Sequence, residues 1–135
     1  MPIQEGEISL ENLKFRAWDK DLKIMSYTGN NLTLQISKNG IQIAYYDSLH
    51  EITNYELLQS TGLFDKNGTE IYEGDILHHK VQGVGVVFYP FRDTMASFGI
   101  RNVNTRFGRN LQDTAKAGYE IIGNKFENPE LLRED

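Results

Sequence analysis

Between Leu32 and Tyr45 apolar and polar residues alternate on both sides of Asn39-Gly40. That alternation is the signature of a half-buried hairpin, and Asn-Gly is the preferred pair for a two-residue type I′ turn. With the turn on Asn39-Gly40, Lys38 faces Ile41, Ile36 faces Ile43 and Leu34 faces Tyr45, with Ser37, Gln42, Gln35 and Ala44 on the opposite side. Upstream, Lys14 to Tyr27 reads as a second hairpin: Phe15, Ala17 and Asp19 alternate with Arg16 and Trp18, Asp19-Lys20-Asp21 turns, and Ile24, Met25 and Tyr27 return. Asp47 to Asn54 is polar and predicts a connector. Tyr55 to Thr61 fits a strand, although Glu56 to Gln59 also fits one helical turn.

The second half carries shorter apolar runs separated by glycine corners. Asn67-Gly68 offers positive φ angles for a tight turn, Asp65 can accept backbone amides beside it, and Glu73-Gly74-Asp75 makes another corner. Strands are predicted over Asp75–Val81, Val84–Tyr89, Thr94–Arg101 and Tyr119–Gly123. Gly83, Gly85 and Gly99 suit a strongly curved sheet. Asn102 to Gly118 reads as a long polar loop, and connections of that length are commonly functional or mobile. Near the end, Asn128-Pro129-Glu130-Leu131-Leu132 has an N-cap residue, a proline at N1 and an acid in the first turn, which predicts a short helical turn as a lid. The expected fold is mainly β. Residues 1–12 form an N-terminal extension, 13–60 a β-hairpin region, and 61–135 a small barrel domain with a short C-terminal helical turn.

Three blocks, Lys14-Phe15-Arg16-Ala17-Trp18-Asp19, Thr61-Gly62-Leu63 through Gly74-Asp75-Ile76, and Ile122-Gly123-Asn124 through Leu131-Leu132, together resemble the YopX family of small bacteriophage and prophage proteins. The resemblance spans about Lys14 to Leu132. It implies a β-rich fold with an SH3-like barrel in the C-terminal half and a phage-encoded accessory gene. It implies no activity, and no functional residues carry over. The acidic front and the 102–118 segment depart from the family pattern.

Composition narrows the chemistry. The 135 residues include no cysteine, which removes disulfides, thiolate metal sites and cysteine nucleophiles. The start of the chain is acidic and polar rather than leader-like, and no apolar run approaches the roughly 20 residues of a membrane span, so a soluble protein of the bacterial cytoplasm is expected. Net charge is −5, unevenly spread: 6 Lys and Arg against 12 Asp and Glu over residues 1–75, then 8 against 7 over 76–135.

Catalytic motifs are missing. Asp65, Asn67 and Thr69 have the first spacings of a calcium loop, but Glu70 stands where glycine and Ile76 where an acid is required. His78 and His79 point to opposite strand faces, and His50 is remote. Glu70, Glu73 and Asp75 could form a carboxylate pair for hydrolysis, yet capping accounts for them. Trp18 and Arg16 share a strand face, where Trp18 serves as an anchor. The expectation is therefore a non-enzymatic protein without metal or cofactor.

One segment suits binding. Arg101, Arg106, Arg109 and Lys116 are interleaved with Phe107 and with Asn102, Asn104 and Asn110, the residue types of a phosphate or single-strand surface. Four cations would give a salt slope of only about −3 to −4. The competing reading is that these cations pair with the acidic front, within the chain or across subunits. Expected partners are a host or phage protein and a second copy of the chain, with weak nucleic-acid binding as the alternative and no membrane.

Overall fold

The computed structural model describes residues 14–47, 50–92 and 97–133, without the side chains of 36 and 37. The expected extension at 1–12 lies outside the described residues. The fold is mainly β, with curled antiparallel sheets. The chain divides into two compact units, Met1–Gln59 and Ser60–Asp135, and the boundary falls inside one strand.

In the first unit, β1 (Phe15–Asp19) pairs with β2 (Ile24–Tyr27) and with the first half of β6 (Tyr55–Phe64). A strand flanked on both edges is central, and Arg16, Ala17, Trp18 and Asp19 are all buried where alternation would leave two exposed. The Arg16 guanidinium lies 6.0 Å from the ring centre of its cross-strand partner Tyr27. Tyr55 to Thr61 is strand, not helix.

Next, β3 (Leu32–Ser37) pairs with β4 (Gly40–Tyr45), in a register that differs from expectation. Ser37 faces Gly40 and Leu34 faces Ile43, so Lys38-Asn39 forms the turn. A type I′ turn on Asn39-Gly40 needs two positive φ angles, whereas here only Gly40 has one, +111°. Each strand slides by one residue, which preserves the parity of facing pairs and keeps Leu32, Leu34 and Ile43 buried together. The expected connector 47–54 also contains a strand, β5 (Glu51–Ile52), because Ile52 pairs with Ile43 and buries its side chain in the same core.

The second unit begins with the rest of β6, which pairs with β7 (Glu70–Tyr72). Asp65 organises the turn between them. Its Oδ1 accepts the amides of Asn67 and Thr69 at 2.9 Å each, and its Oδ2 accepts that of Ile121 at 3.0 Å. Positive φ falls on Gly68 and not on Asn67. Then come β8 (Asp75–His79), β9 (Gly83–Phe88), β10 (Gly99–Asn102), β11 (Gly108–Asn110), helix α1 (Thr114–Ala117), β12 (Glu120–Asn124) and a 3-10 turn (Pro129–Leu132). The strands form one sheet in the order β11-β10-β9-β8-β12 over a core of Ile71, Leu77, Val87, Ile100, Leu111 and Tyr119.

Two expectations for this unit are corrected. The segment from Asn102 to Gly118 is not a continuous loop but a turn, β11 and α1, because buried Leu111 and Thr114 anchor it. The Thr114 hydroxyl donates to the Phe64 carbonyl at 2.6 Å. The Asn128 side chain does not cap the C-terminal turn; its Oδ1 reaches back to accept the Asn124 amide at 3.1 Å.

Gly85 is needed for close approach. A Cβ there would stand 2.7 Å from Ile100 Cγ1 and 3.1 Å from the Arg101 carbonyl. Gly85→Ala is therefore expected to cost about 1–3 kcal/mol in denaturant unfolding, as overpacking does. A loss under about 0.5 kcal/mol, typical of an unconstrained surface site, would show that the sheet yields there.

Candidate functional site

Two turns of the second unit define a groove. The first, between β8 and β9, is held by His79. Its Nδ1 accepts the amides of Val81 and Gln82, both at 3.1 Å, so the ring proton sits on Nε2 and is donated to the Ala117 carbonyl at 2.7 Å. The second, between β10 and β11, is organised by Asn102. Its Oδ1 accepts the amides of Asn104 and Thr105 at 2.8 and 2.9 Å, the side-chain mimic of a backbone turn. Its Nδ2 donates to the Gln82 carbonyl at 2.7 Å and so ties the two turns together.

Within this second turn Arg106 takes a positive φ of 64°, and the chain then presents Phe107 outward, 77% exposed. Val81, on the facing turn, is 75% exposed. Between the turns lies a cavity of about 350 Å³ with Ile100, Arg109 and Tyr119 among its lining residues. A second cavity, of about 420 Å³, shares Gln82, Ile100, Arg109 and Tyr119 and extends to Asp113 beside α1. The groove thus has Arg109 in its middle, with Nη2 donating to the Tyr119 hydroxyl at 3.1 Å.

The five expected binding residues do not converge. Phe107 and Arg109 line the groove. Arg101 alternates with Ile100 along β10, and its guanidinium lies 4.5 Å from the Phe88 ring centre, on the other side of the sheet. Arg106 and Lys116 are exposed but line neither cavity.

A family model described as YopX protein matches residues 14–133. The chain belongs to the YopX family. It is similar to the solved structure of protein EF1440 from Enterococcus faecalis, at 28% identity and a TM-score of 0.52, covering 90% of this chain and 98% of that one. It is also similar in fold to protein yopX from Bacillus subtilis, at 24% identity and a TM-score of 0.59, covering 89% and 98%. No curated protein matches the chain.

Several of the other candidate residues hold hydrogen bonds within the second unit. Among the described residues no group of three or more His, Asp or Glu could hold a metal ion. Asp65 is engaged by backbone amides, the Ser60 hydroxyl donates to Glu70, and Asp75 accepts the Tyr72 amide at 2.8 Å. Among the described residues no helix is long and apolar enough to cross a membrane. The sequence reading passed over His79 and Tyr119 as groove residues and gave Asn102 no structural role. Asn102 stands two residues before Asn104, an Asx-turn spacing that could have suggested its part.

Proposed function

We propose that this YopX-family protein is a non-enzymatic accessory protein, of phage or prophage origin, that acts by binding another macromolecule in the cytoplasm of its host cell. Its binding surface is the groove centred on Arg109 and Tyr119. The sheet order β11-β10-β9-β8-β12 supports reading the C-terminal half as an SH3-like barrel, a meander whose last strand returns beside the first. The observation that carries the proposal is the pair of large apolar side chains left in water on facing turns, Phe107 and Val81, beside an arginine. Exposed apolar surface rimmed by polar groups marks interaction sites. Self-association is a further part of this reading: β3 ends the sheet order β3-β4-β5, and an edge strand can pair with a second copy.

A photo-crosslinking amino acid in place of Phe107 tests the proposal in cells. It is expected to trap a discrete partner that the same group at exposed Lys38 does not. Identical crosslink profiles at both positions would refute groove binding. A second reading, favoured by Phe107 beside Arg109, is single-stranded nucleic acid. It requires oligonucleotide affinity to fall with salt and with Arg106→Glu and Arg109→Glu, measured by fluorescence anisotropy at two salt concentrations.

A further inference from the structure

We infer, on the reading that this groove is a binding site, that its occupant is an extended protein segment carrying one carboxylate flanked by apolar side chains. Charge is the first reason. Among the described residues Arg109 is the only Lys or Arg lining either cavity, and no carboxylate among them forms an ion pair with it. Its guanidinium has five N–H donors in a planar fork, of which Tyr119 takes one. The others remain for a ligand, and a planar, bidentate carboxylate matches the fork of a guanidinium.

A nucleic-acid strand fits less well. Neutralising one phosphate gives a salt slope of only about −0.7 for a single strand. Arg101 is committed to Phe88 across the sheet and cannot follow the same backbone. The Asn102 side-chain amide in the groove is not free to read a base edge, since its Oδ1 accepts two amides and its Nδ2 donates to the Gln82 carbonyl. The chain's net charge of −5 repels a polyanion far more than a segment with one acid.

The walls and the edge supply the remainder. Val81 and Phe107 offer apolar surface for side chains on either side of the carboxylate, with Ile100 beneath. β11 ends the sheet and all three of its residues are exposed, so an extended segment can lie along it as strands do at sheet edges. Asp113, which also lines the second cavity, disfavours a second acid in the segment there.

The test is selection from a displayed library of random dodecapeptides against the full chain, with a random single-stranded 20-mer DNA pool in parallel. Selected peptides are expected to share an Asp or Glu between apolar residues. In a synthetic peptide, Asp→Asn or Glu→Gln should weaken binding about 10- to 100-fold, as losing a charged hydrogen-bonded partner does. Arg109→Gln should produce the same loss and be insensitive to the peptide's own change, and Phe107→Ala should weaken binding with the thermal midpoint unchanged. Both side chains are exposed, so the variants remain folded. Basic or purely apolar winners, a DNA winner with the stronger affinity, or acidic winners indifferent to Arg109→Gln would overturn this inference while leaving groove binding intact. No winner from either pool overturns both.

Discussion

Asp65→Ala is expected to destabilise the 60–135 unit by about 3–5 kcal/mol, the range reserved for broken buried polar networks. Asp65 is 2% exposed, and its two oxygens accept three backbone amides, from Asn67, Thr69 and Ile121. Alanine removes the acceptor of all three part-buried donors. Asp65→Asn should lose less, because one oxygen still serves Asn67 and Thr69, but its amide group then faces the Ile121 N–H donor to donor. Burial pushes the carboxyl up, yet the amides of Ile121, Thr69 and Asn67 and the Lys66 charge outweigh it and hold it below its ordinary value of 3.8. Because the folded state keeps this proton off more readily than the unfolded chain, the contribution is complete above pH 3.8. It fades as pH falls below that value through the lowered folded one. Urea unfolding between pH 2.5 and 7 should therefore show an acid-side loss in the wild type that is smaller in Asp65→Asn. Equal stabilities for Asp65→Ala and the wild type would remove Asp65 as the organiser of this turn.

The second large effect lies in the other unit. Asp19→Ala is expected to cost about 2–4 kcal/mol, since it strands several donors at a buried site. Asp19 Oδ1 accepts the amides of Asp21 and Leu22 at 3.0 Å each, closing the β1–β2 turn, and Oδ2 accepts the Tyr45 hydroxyl at 2.6 Å. Burial pushes this carboxyl up, but the Tyr45 hydroxyl, the two amides and the His50 charge hold it below 3.8, so its contribution too is present above that pH and lost below it. Tyr45 shows the reverse. Burial first, then its bond to Asp19 and that carboxylate's charge, push the phenol from 10.0 up to about 12. A raised value means stabilisation that is full below pH 10 and disappears as pH climbs through about 12. The ultraviolet phenolate titration of the wild type minus that of Tyr45→Phe isolates this group. A midpoint near 12 is expected, and one near 10 would mean that the Asp19 contact is not maintained in solution.

The legible part of this fold was short-range. Asp65 before Asn67-Gly68 announces its turn because two of its three partners lie within four residues. The third, Ile121, is 56 positions away and had no local trace. Ile52 sits in a polar stretch too short to alternate visibly, and only its pairing with Ile43 makes it a strand residue. The cluster Arg101, Arg106, Phe107, Arg109 and Lys116 was legible as composition but not as a surface. Arg101 and Arg109 lie on different strands, and Arg101 pairs with Gly108 while Ile100 pairs with Arg109. That register sends the two guanidinium groups to opposite faces.

The amino-acid order alone determined the class of fold, the hairpin from Leu32 to Tyr45 with its buried face, and the Asp65 turn. These follow from side-chain parity and from bonds that close over a few residues. Tertiary structure decided the register of that hairpin, the strand at Glu51–Ile52, the ordering of 102–118 around Asn102, Leu111 and Thr114, and which of the expected binding residues line the groove. Each depends on pairing between segments distant in sequence, and parity along one strand cannot say which partner lies across from it.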